Sequence, residues 1–364
     1  MSLLGWPLLV LFILLALAAP VGCLAAWNRV PGPDALRVAA RLGMIVTCQA
    51  TALLLVGTML NRSLHLYPTW ADLFGTAGRN GNIEAAGPGG ATLTRPAGGR
   101  GLDEGGFRFD RSSRTHVGHP LGSASGIRAE VRVWLPPQYD DAAYRGRRFP
   151  VIELLPGFPG SSWTWFGALH VADELEKAMK NGQAKPYILV SPTITVQPGR
   201  DTECADINGG PRVATWLTTD VRAAVTRDFR ALPDAGSWAT MGYSTGGFCA
   251  VKLAEQRPDL FRAGVSLAGY FKPTSPDITR DPNSVHANSP MELLAARPAV
   301  DLLLGGTRTD RGTAAAIDDM IAHVQSPTRA FTYILDNGGH LPKVWEGMLP
   351  KSFEWLTQRV AGPS

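Results

Sequence analysis

Short apolar runs alternate with helical patterns through most of the chain after residue 107. The runs are bounded by turn residues and predict strands at IRAEVRVWLP, FPVIELLPG, PYILVSPTI, GSWATMGYS, RAGVSLAGY, AVDLLLGG and RAFTYILD. Helical spacing follows several of them, at 210–229, 245–258, 313–324 and 343–360. This alternation favours an α/β fold with a mostly parallel sheet and helices on both faces. Because ligands bind outside the carboxyl ends of strands in such sheets, catalytic residues are expected just after strands.

The stretch GYSTGG at 242–247 lies between a predicted strand and a predicted helix. A Gly-x-Ser-x-Gly motif in that setting predicts a nucleophile elbow with Ser244 as the nucleophile. Side chains at Gly242 and Gly246 would clash with the neighbouring strand and helix. The amide of Thr245, at the helix N-terminus, is expected to donate to a developing oxyanion. A serine in an ordinary glycine-rich turn is the alternative.

A serine nucleophile needs a base and an acid, which in this fold follow it in the order acid, histidine. His340 lies after the last predicted strand and before the last helix, where the base is expected. Asp310 follows the strand at 299–304 and is the predicted acid, which would fix the imidazole tautomer. The alternative for Asp310 is a surface aspartate. Asp336 is the second choice, but it lies only four residues before His340.

The loop LLPGFPGSSWTWF after an early strand is expected to supply the second oxyanion donor. The Phe158 amide is the predicted donor, because Gly157 allows the loop to turn tightly over the site. Trp163 and Trp165 follow in the same loop. They would line an apolar groove for the acyl group, with core packing as the alternative.

Two apolar runs near the N-terminus are each long enough to cross a bilayer. The first spans residues 3–27 without a charge, and the second spans 42–60 with only Thr and Gln as polar breaks. A cleaved signal peptide is the alternative for the first run, but no Lys or Arg precedes it. The sequence therefore predicts a membrane anchor of two transmembrane helices within 1–62.

The charges between these runs predict the topology. Arg29, Arg37 and Arg41 outnumber Asp34 there, which places the connection in the cytoplasm and everything after residue 60 outside it. Residues 63–106 include a Gly-rich stretch with few large apolar side chains, which predicts a flexible linker. The catalytic domain is then expected at 107–364.

The cysteines and the charge distribution limit the remaining possibilities. Cys204 and Cys249 fall in the predicted exported domain, where an oxidising environment would permit a disulfide between them, with two buried free thiols as the alternative. No Cys/His cluster has zinc spacing, and no glycine loop carries a phosphate-binding lysine, so no metal or cofactor is predicted. The formal charge of +4 is spread along the chain, which argues against nucleic-acid binding.

Residues from about 127 to 356 resemble the esterase-D and mycolyltransferase (antigen 85-type) branch of the α/β-hydrolases. The resemblance rests on VRVWLPPQYD, PVIELLPGFPG, GYSTGG, GTRTD and GGHLPKVW, which are collinear with that family. It implies an acyl-enzyme mechanism with Ser244, Asp310 and His340, and transfer of the acyl group to water or to a sugar hydroxyl. Two features depart from the pattern: Pro156 stands where many α/β-hydrolases have histidine, and the acid is aspartate where mycolyltransferases commonly have glutamate.

The function predicted from these observations is a membrane-anchored, extracytoplasmic serine esterase. Its partner would be an acyl ester, such as a lipid or glycolipid of the cell envelope. One alternative is an acyltransferase acting on envelope glycolipids. Another is a catalytically inactive relative that serves as an envelope-binding or scaffold protein.

Overall fold

The computed structural model describes residues 6–64, 82–83, 106–337 and 339–364 of the protein. The chain divides into two units, Met1–Ala77 and Gly78–Ser364. Most of the predicted linker at 63–106 lies outside the described residues, so the linker stays a prediction.

Two helices form the described part of the N-terminal unit: α1 (Trp6–Ala26) and α2 (Asp34–Leu64). By length and composition both could cross a membrane. Large apolar side chains such as Leu17 and Leu24 remain exposed on them. Packing within this unit therefore leaves an apolar surface uncovered.

The second helix begins earlier than its apolar run. We predicted a span over 42–60, whereas α2 begins at Asp34, so Arg37 and Arg41 lie in its first turns and not in a loop. The reason is that DALRVAARL consists mostly of strong helix formers, and Asp34 in the first turn interacts favourably with the helix dipole. Apolar character alone therefore places the start of this helix too late.

One sheet of nine strands organises the C-terminal unit within the described residues: β1 (Arg108–Asp110), β2 (Thr115–Gly118), β3 (Val131–Trp134), β4 (Val151–Leu155), β5 (Ile188–Pro192), β6 (Trp238–Tyr243), β7 (Ala263–Leu267), β8 (Asp301–Thr307) and β9 (Arg329–Leu335). Its order is β9-β8-β7-β6-β4-β5-β3-β2-β1. The strands from β9 to β5 in this order are parallel, and β3, β2 and β1 continue the sheet antiparallel. The mostly parallel sheet confirms the predicted fold class.

Two details of the sheet differ from the sequence prediction. The run at 127–136 is not one strand, because Ile127–Arg128 pairs antiparallel with Asn82–Ile83 outside the sheet and only Val131–Trp134 joins β2 and β5. The strands β1 and β2 had no individual prediction. They are three and four residues long, too short for an alternating pattern to stand out.

Helices cover the sheet on both faces. They are α3 (Thr164–Gly167), α4 (Val171–Lys180), α5 (213–228, with a π-helical segment at Trp216–Val221), α6 (Thr245–Gln256), α7 (Pro276–Thr279), α8 (Pro282–Asn288), α9 (Pro290–Leu293), α10 (Arg311–His323) and α11 (Pro342–Thr357). Short 3₁₀ turns lie at Pro137–Tyr139, Ala142–Tyr144, Ala235–Ser237 and Leu294–Ala296.

The apolar core has two layers, one on each face of the sheet. One cluster contains buried residues of α5, α6 and α10, and the other contains buried residues of α4 and α11. Successive residues of β4 alternate between them, because Val151 and Leu155 belong to the first and Ile152 and Leu154 to the second. Both faces of strands β4 to β8 are therefore buried, whereas the edge strand β9 is partly exposed. The connections after the carboxyl ends of the parallel strands are left to form a site.

Candidate active site

The connection from β6 to α6 is a sharp turn at Ser244. Its backbone has φ 54° and ψ −126°, a conformation that residues other than glycine rarely adopt. A Cβ on Gly242 would lie 1.8 Å from the carbonyl oxygen of Gly246, and a Cβ on Gly246 would lie 2.0 Å from that of Leu155. The two glycines therefore allow the strand and helix to approach closely enough to hold Ser244 at the turn.

The structure brings Ser244, His340 and Asp310 together in one chain of hydrogen bonds. The Nε2 atom of His340 lies 2.9 Å from Ser244 Oγ, and its Nδ1 atom lies 3.0 Å from Asp310 Oδ2. The three residues follow β6, β9 and β8 respectively, so all of them lie beyond carboxyl ends of parallel strands. This is the geometry that a base needs to take a proton from a serine hydroxyl.

Asp310 is held as a carboxylate. It precedes α10 and accepts hydrogen bonds from the Thr313 hydroxyl at 2.7 Å and from the Thr313 amide at 3.3 Å. Partial burial by itself raises the pKa of Asp310, but the hydrogen bonds from Thr313 and His340 outweigh it and lower the pKa below its usual value. The carboxylate can therefore accept the Nδ1–H of His340 at neutral pH.

The second-choice acid, Asp336, has a different partner. Its Oδ1 atom lies 3.2 Å from Nε of Arg308, and its side chain is 86% exposed. The residue that contacts His340 is Asp310, the first choice.

The two predicted oxyanion donors belong to two segments next to Ser244, the start of α6 and the loop after β4. Thr245 is the first residue of α6 and is buried. Phe158 occupies a four-residue turn after β4, which the Gly160 amide closes by donating to the Gly157 carbonyl oxygen at 2.6 Å. Among the hydrogen bonds of the described residues, none uses the amide of Phe158 or Thr245 as donor. Neither amide is therefore engaged by an acceptor in the described part of the chain, and the oxyanion-hole role of both stays a prediction.

The structure separates the two tryptophans predicted to bind substrate. Trp163 is half-buried, and its ring covers Gly167, where an added Cβ would lie 1.7 Å from ring carbons. Trp165 has no exposed surface and packs edge-on against Tyr243 in the core, with ring centroids 5.2 Å apart. The predicted substrate role of Trp165 is therefore wrong, because burial leaves no atom of its side chain for a ligand. Trp163 stays a prediction.

A residue that the sequence prediction missed lies against the imidazole. Trp345, in the first turns of α11, packs edge-to-face with His340 at a centroid distance of 5.0 Å. The Trp345 indole also stacks on the ring of Tyr243, with ring centroids 4.6 Å apart. A tryptophan near the start of a helix carries no signal of such a contact, since the same pattern describes an ordinary core residue.

One face of α6 is fastened to the segment 201–204. Thr245 Oγ1 donates to Asp201 Oδ2 at 3.1 Å, Cys249 forms the disulfide with Cys204, and Lys252 Nζ donates to the Glu203 carbonyl oxygen at 2.7 Å. The disulfide confirms the predicted pairing. Because these three helix residues are spaced by four and three, they share one face. The helix that begins at the nucleophile is thus held by a covalent bond and two hydrogen bonds.

Lys252 is completely buried, and this burial lowers the pKa of its ammonium group to about 7, although nearby carboxylates oppose the shift. Separately, within the described residues no group of His, Cys, Asp and Glu side chains is arranged to hold a metal ion.

A family model and a curated relative match this chain. The model of a family described as "Putative esterase" matches residues 123–356. A protein of Corynebacterium glutamicum, "Uncharacterized protein Cgl0967/cg1104", is 24% identical over 255 residues, which are 65% of this chain and 59% of that relative. The chain thus spans less than two thirds of the relative's length.

Solved structures share the fold. A ferulic acid esterase has a TM-score of 0.55 at 20% identity, with 67% of this chain and 96% of that chain covered. An S-formylglutathione hydrolase from Agrobacterium tumefaciens has a TM-score of 0.57 at 14% identity, covering 72% and 98%. FphF, a fluorophosphonate-binding serine hydrolase from Staphylococcus aureus, has a TM-score of 0.51 at 15% identity, covering 70% and 99%. Because the family match extends over well more than half of the chain, the protein belongs to this esterase family.

Proposed function

We propose that this protein is a membrane-anchored, extracytoplasmic serine esterase that cleaves a carboxylic ester through an acyl-enzyme intermediate. The observation that carries the proposal is the pair of hydrogen bonds that joins Ser244, His340 and Asp310 at 2.9 and 3.0 Å. A nucleophile and base within hydrogen-bond reach, with the base oriented by a third group, are typical of nucleophilic catalysis.

The proposed reaction begins with attack of Ser244 Oγ on the ester carbonyl carbon while His340 Nε2 takes the hydroxyl proton. The resulting oxyanion accepts hydrogen bonds from the amides of Thr245 and Phe158. When the intermediate collapses, the carbon–oxygen bond to the alcohol breaks and the alcohol leaves with the proton from His340. Water then attacks the acyl-enzyme with the same base, which releases the carboxylic acid and restores Ser244. Asp310 holds the imidazole in the required tautomer throughout.

A fluorophosphonate probe tests this proposal directly. We expect the purified protein to be labelled on Ser244, located by mass spectrometry, because the activated Oγ attacks phosphorus. The Ser244→Ala variant is expected to remain unlabelled. Equal labelling of the two proteins would remove Ser244 from its assigned role, and a wild-type chain that is neither labelled nor active would favour the inactive-scaffold alternative.

Transfer to a sugar differs from hydrolysis only in the acceptor, so the products separate the two reactions. The proposal expects free carboxylic acid as the main product when an ester is incubated with and without a sugar acceptor. A new sugar ester formed at the expense of the acid would instead assign the acyltransferase function.

The ends of the α1–α2 pair support the membrane anchor. The guanidinium of Arg62 lies 4.5 Å from the ring centroid of Trp6, and that of Arg41 lies 5.1 Å from that of Trp27. These pairs place a tryptophan at or next to each end of α1, with an arginine of α2 against it, and tryptophan is enriched at membrane–water interfaces. The Cys204–Cys249 disulfide adds support for an extracytoplasmic catalytic unit, because disulfides persist in oxidising compartments.

Protease treatment of intact cells tests the topology. A C-terminal epitope is expected to be lost when protease is added outside, since both helices cross the membrane and the catalytic unit follows the second. The chain is also expected to stay with washed membranes. Protection of the epitope would contradict the topology, and recovery of a soluble protein shortened at its N-terminus would identify the first helix as a signal sequence.

A further inference from the structure

The imidazole of His340 has one packed side and one open side. Its Nε2 and Nδ1 atoms face Ser244 and Asp310, so Trp345 contacts it through the ring face or a C–H edge and competes for neither nitrogen. The planes of the two rings meet at 84°. The His340 side chain is 45% exposed, so few neighbours restrict the orientation of its ring. The contact with the Trp345 indole is one that does.

The indole is itself held by the residue that precedes the nucleophile. The ring of Trp345 stacks on that of Tyr243 at an interplanar angle of 21°, and Trp345 is only 6% exposed. Tyr243 ends β6, and Ser244 follows it directly. Trp345, which packs against the base, therefore also contacts the strand that ends directly before the nucleophile.

The same tyrosine contacts the loop that carries the second oxyanion donor. A Cβ on Gly157 would lie 2.8 Å from Tyr243 Cε2, and a Cβ on Gly160 would lie 2.8 Å from the Tyr243 hydroxyl oxygen. Trp165 packs edge-on against the same tyrosine ring. The residue before the nucleophile, the oxyanion loop and the base therefore all contact one buried aromatic pair, Tyr243 and Trp345.

We propose that the stacked Tyr243–Trp345 pair is a positioning unit that fixes the imidazole of His340 relative to Ser244 and to the oxyanion loop. This inference rests on the proposed esterase function. Trp345 acts through His340 and touches no reacting atom. Its contribution is orientation, because a misplacement of about 1 Å in a catalytic group can cost about 10²-fold in rate.

Replacing Trp345 by leucine tests the proposal. We expect kcat for a soluble ester to fall by roughly 10- to 100-fold with KM changed by less than about 3-fold, since the imidazole loses its orientation while the binding surface stays. The second-order rate of fluorophosphonate labelling is expected to fall in parallel. Trp345→Phe, which restores an aromatic ring, is expected to recover most of both rates.

The matched control is Trp355→Leu. Trp355 lies about 15 Å further along α11 and packs against Phe331 and Arg359, away from the imidazole. We expect a similar loss of thermal stability but a kcat within about 2-fold of wild type. All variants are assayed below their measured Tm. If Trp345→Leu is unfolded, Trp345→Met takes its place, and the same fall in kcat is expected.

The outcomes separate this inference from the function on which it rests. An active wild type together with equal kcat values for Trp345→Leu and Trp355→Leu would overturn the positioning role alone. So would a rise in KM at unchanged kcat, which would make Trp345 a binding residue. A wild-type protein that neither hydrolyses esters nor reacts with the probe would overturn both.

Discussion

Replacing Ser244 or His340 by alanine is expected to lower kcat for ester hydrolysis by roughly 10⁴- to 10⁶-fold. The serine variant lacks the atom that forms the acyl-enzyme. The histidine variant lacks the group that lies 2.9 Å from Ser244 Oγ and accepts its proton. Steady-state kinetics on a chromogenic ester would measure both losses, and the residual rate would report what the oxyanion donors and substrate binding achieve alone.

The double variant and a distant histidine provide the controls. Because Ser244 and His340 act as one unit, the double variant is expected to lose little more than either single variant. His286 also has a carboxylate partner, with Nδ1 2.7 Å from Glu292 Oε2, but it lies in α8 on the surface. His286→Ala is expected to keep wild-type kcat. Losses for the two single variants that multiply in the double variant would contradict a shared mechanism.

Replacing Asp310 by asparagine is expected to lower kcat by roughly 10³- to 10⁴-fold. The amide group of an asparagine can donate to Nδ1, which favours the tautomer that cannot accept the serine proton. It also removes the negative charge that stabilises the imidazolium. Kinetics at saturating ester would measure the loss, and circular dichroism would verify that α10, which begins after this residue, remains folded.

Asp336→Asn is the matched control for the acid. Asp336 faces Arg308 and is 86% exposed, so its replacement is expected to leave kcat within about 2-fold of wild type. Should Asp336→Asn be the more damaging change, the order of the two carboxylates would be reversed, and the hydrogen bond between Asp310 and His340 would not be the one that operates during turnover.

The elbow and the order of the three polar residues could be predicted because chemistry restricts them. Gly242 and Gly246 have no alternative at a turn where an added Cβ would lie 1.8 or 2.0 Å from a carbonyl oxygen. His340 and Asp310 could be found because each follows a strand of a sheet whose carboxyl ends meet at one edge. Position along the chain was thus enough to indicate proximity in space.

The orientation of the aromatic side chains could not be predicted, because position along the chain does not tell which way a ring points. Trp163 and Trp165 are two residues apart at the start of α3, yet only Trp163 retains exposed surface. Trp345, which contacts His340, lies in a helix whose spacing indicates only a core residue. The rings of Trp165 and Trp345 both pack against Tyr243, and a single sequence does not show such tertiary contacts.

The disulfide between Cys204 and Cys249 has a consequence for a chain that is cut once by a protease. It closes a loop of sequence separation 45 that contains all of α5 and β6 as well as Ser244. Exposed residues of this loop, Asn208 and Gly209, offer a site for cleavage. A single cut there would leave the two fragments covalently joined, so that the helix carrying Cys249 could not separate from the strands before Cys204. A nicked enzyme would then run as one band until a reducing agent is added.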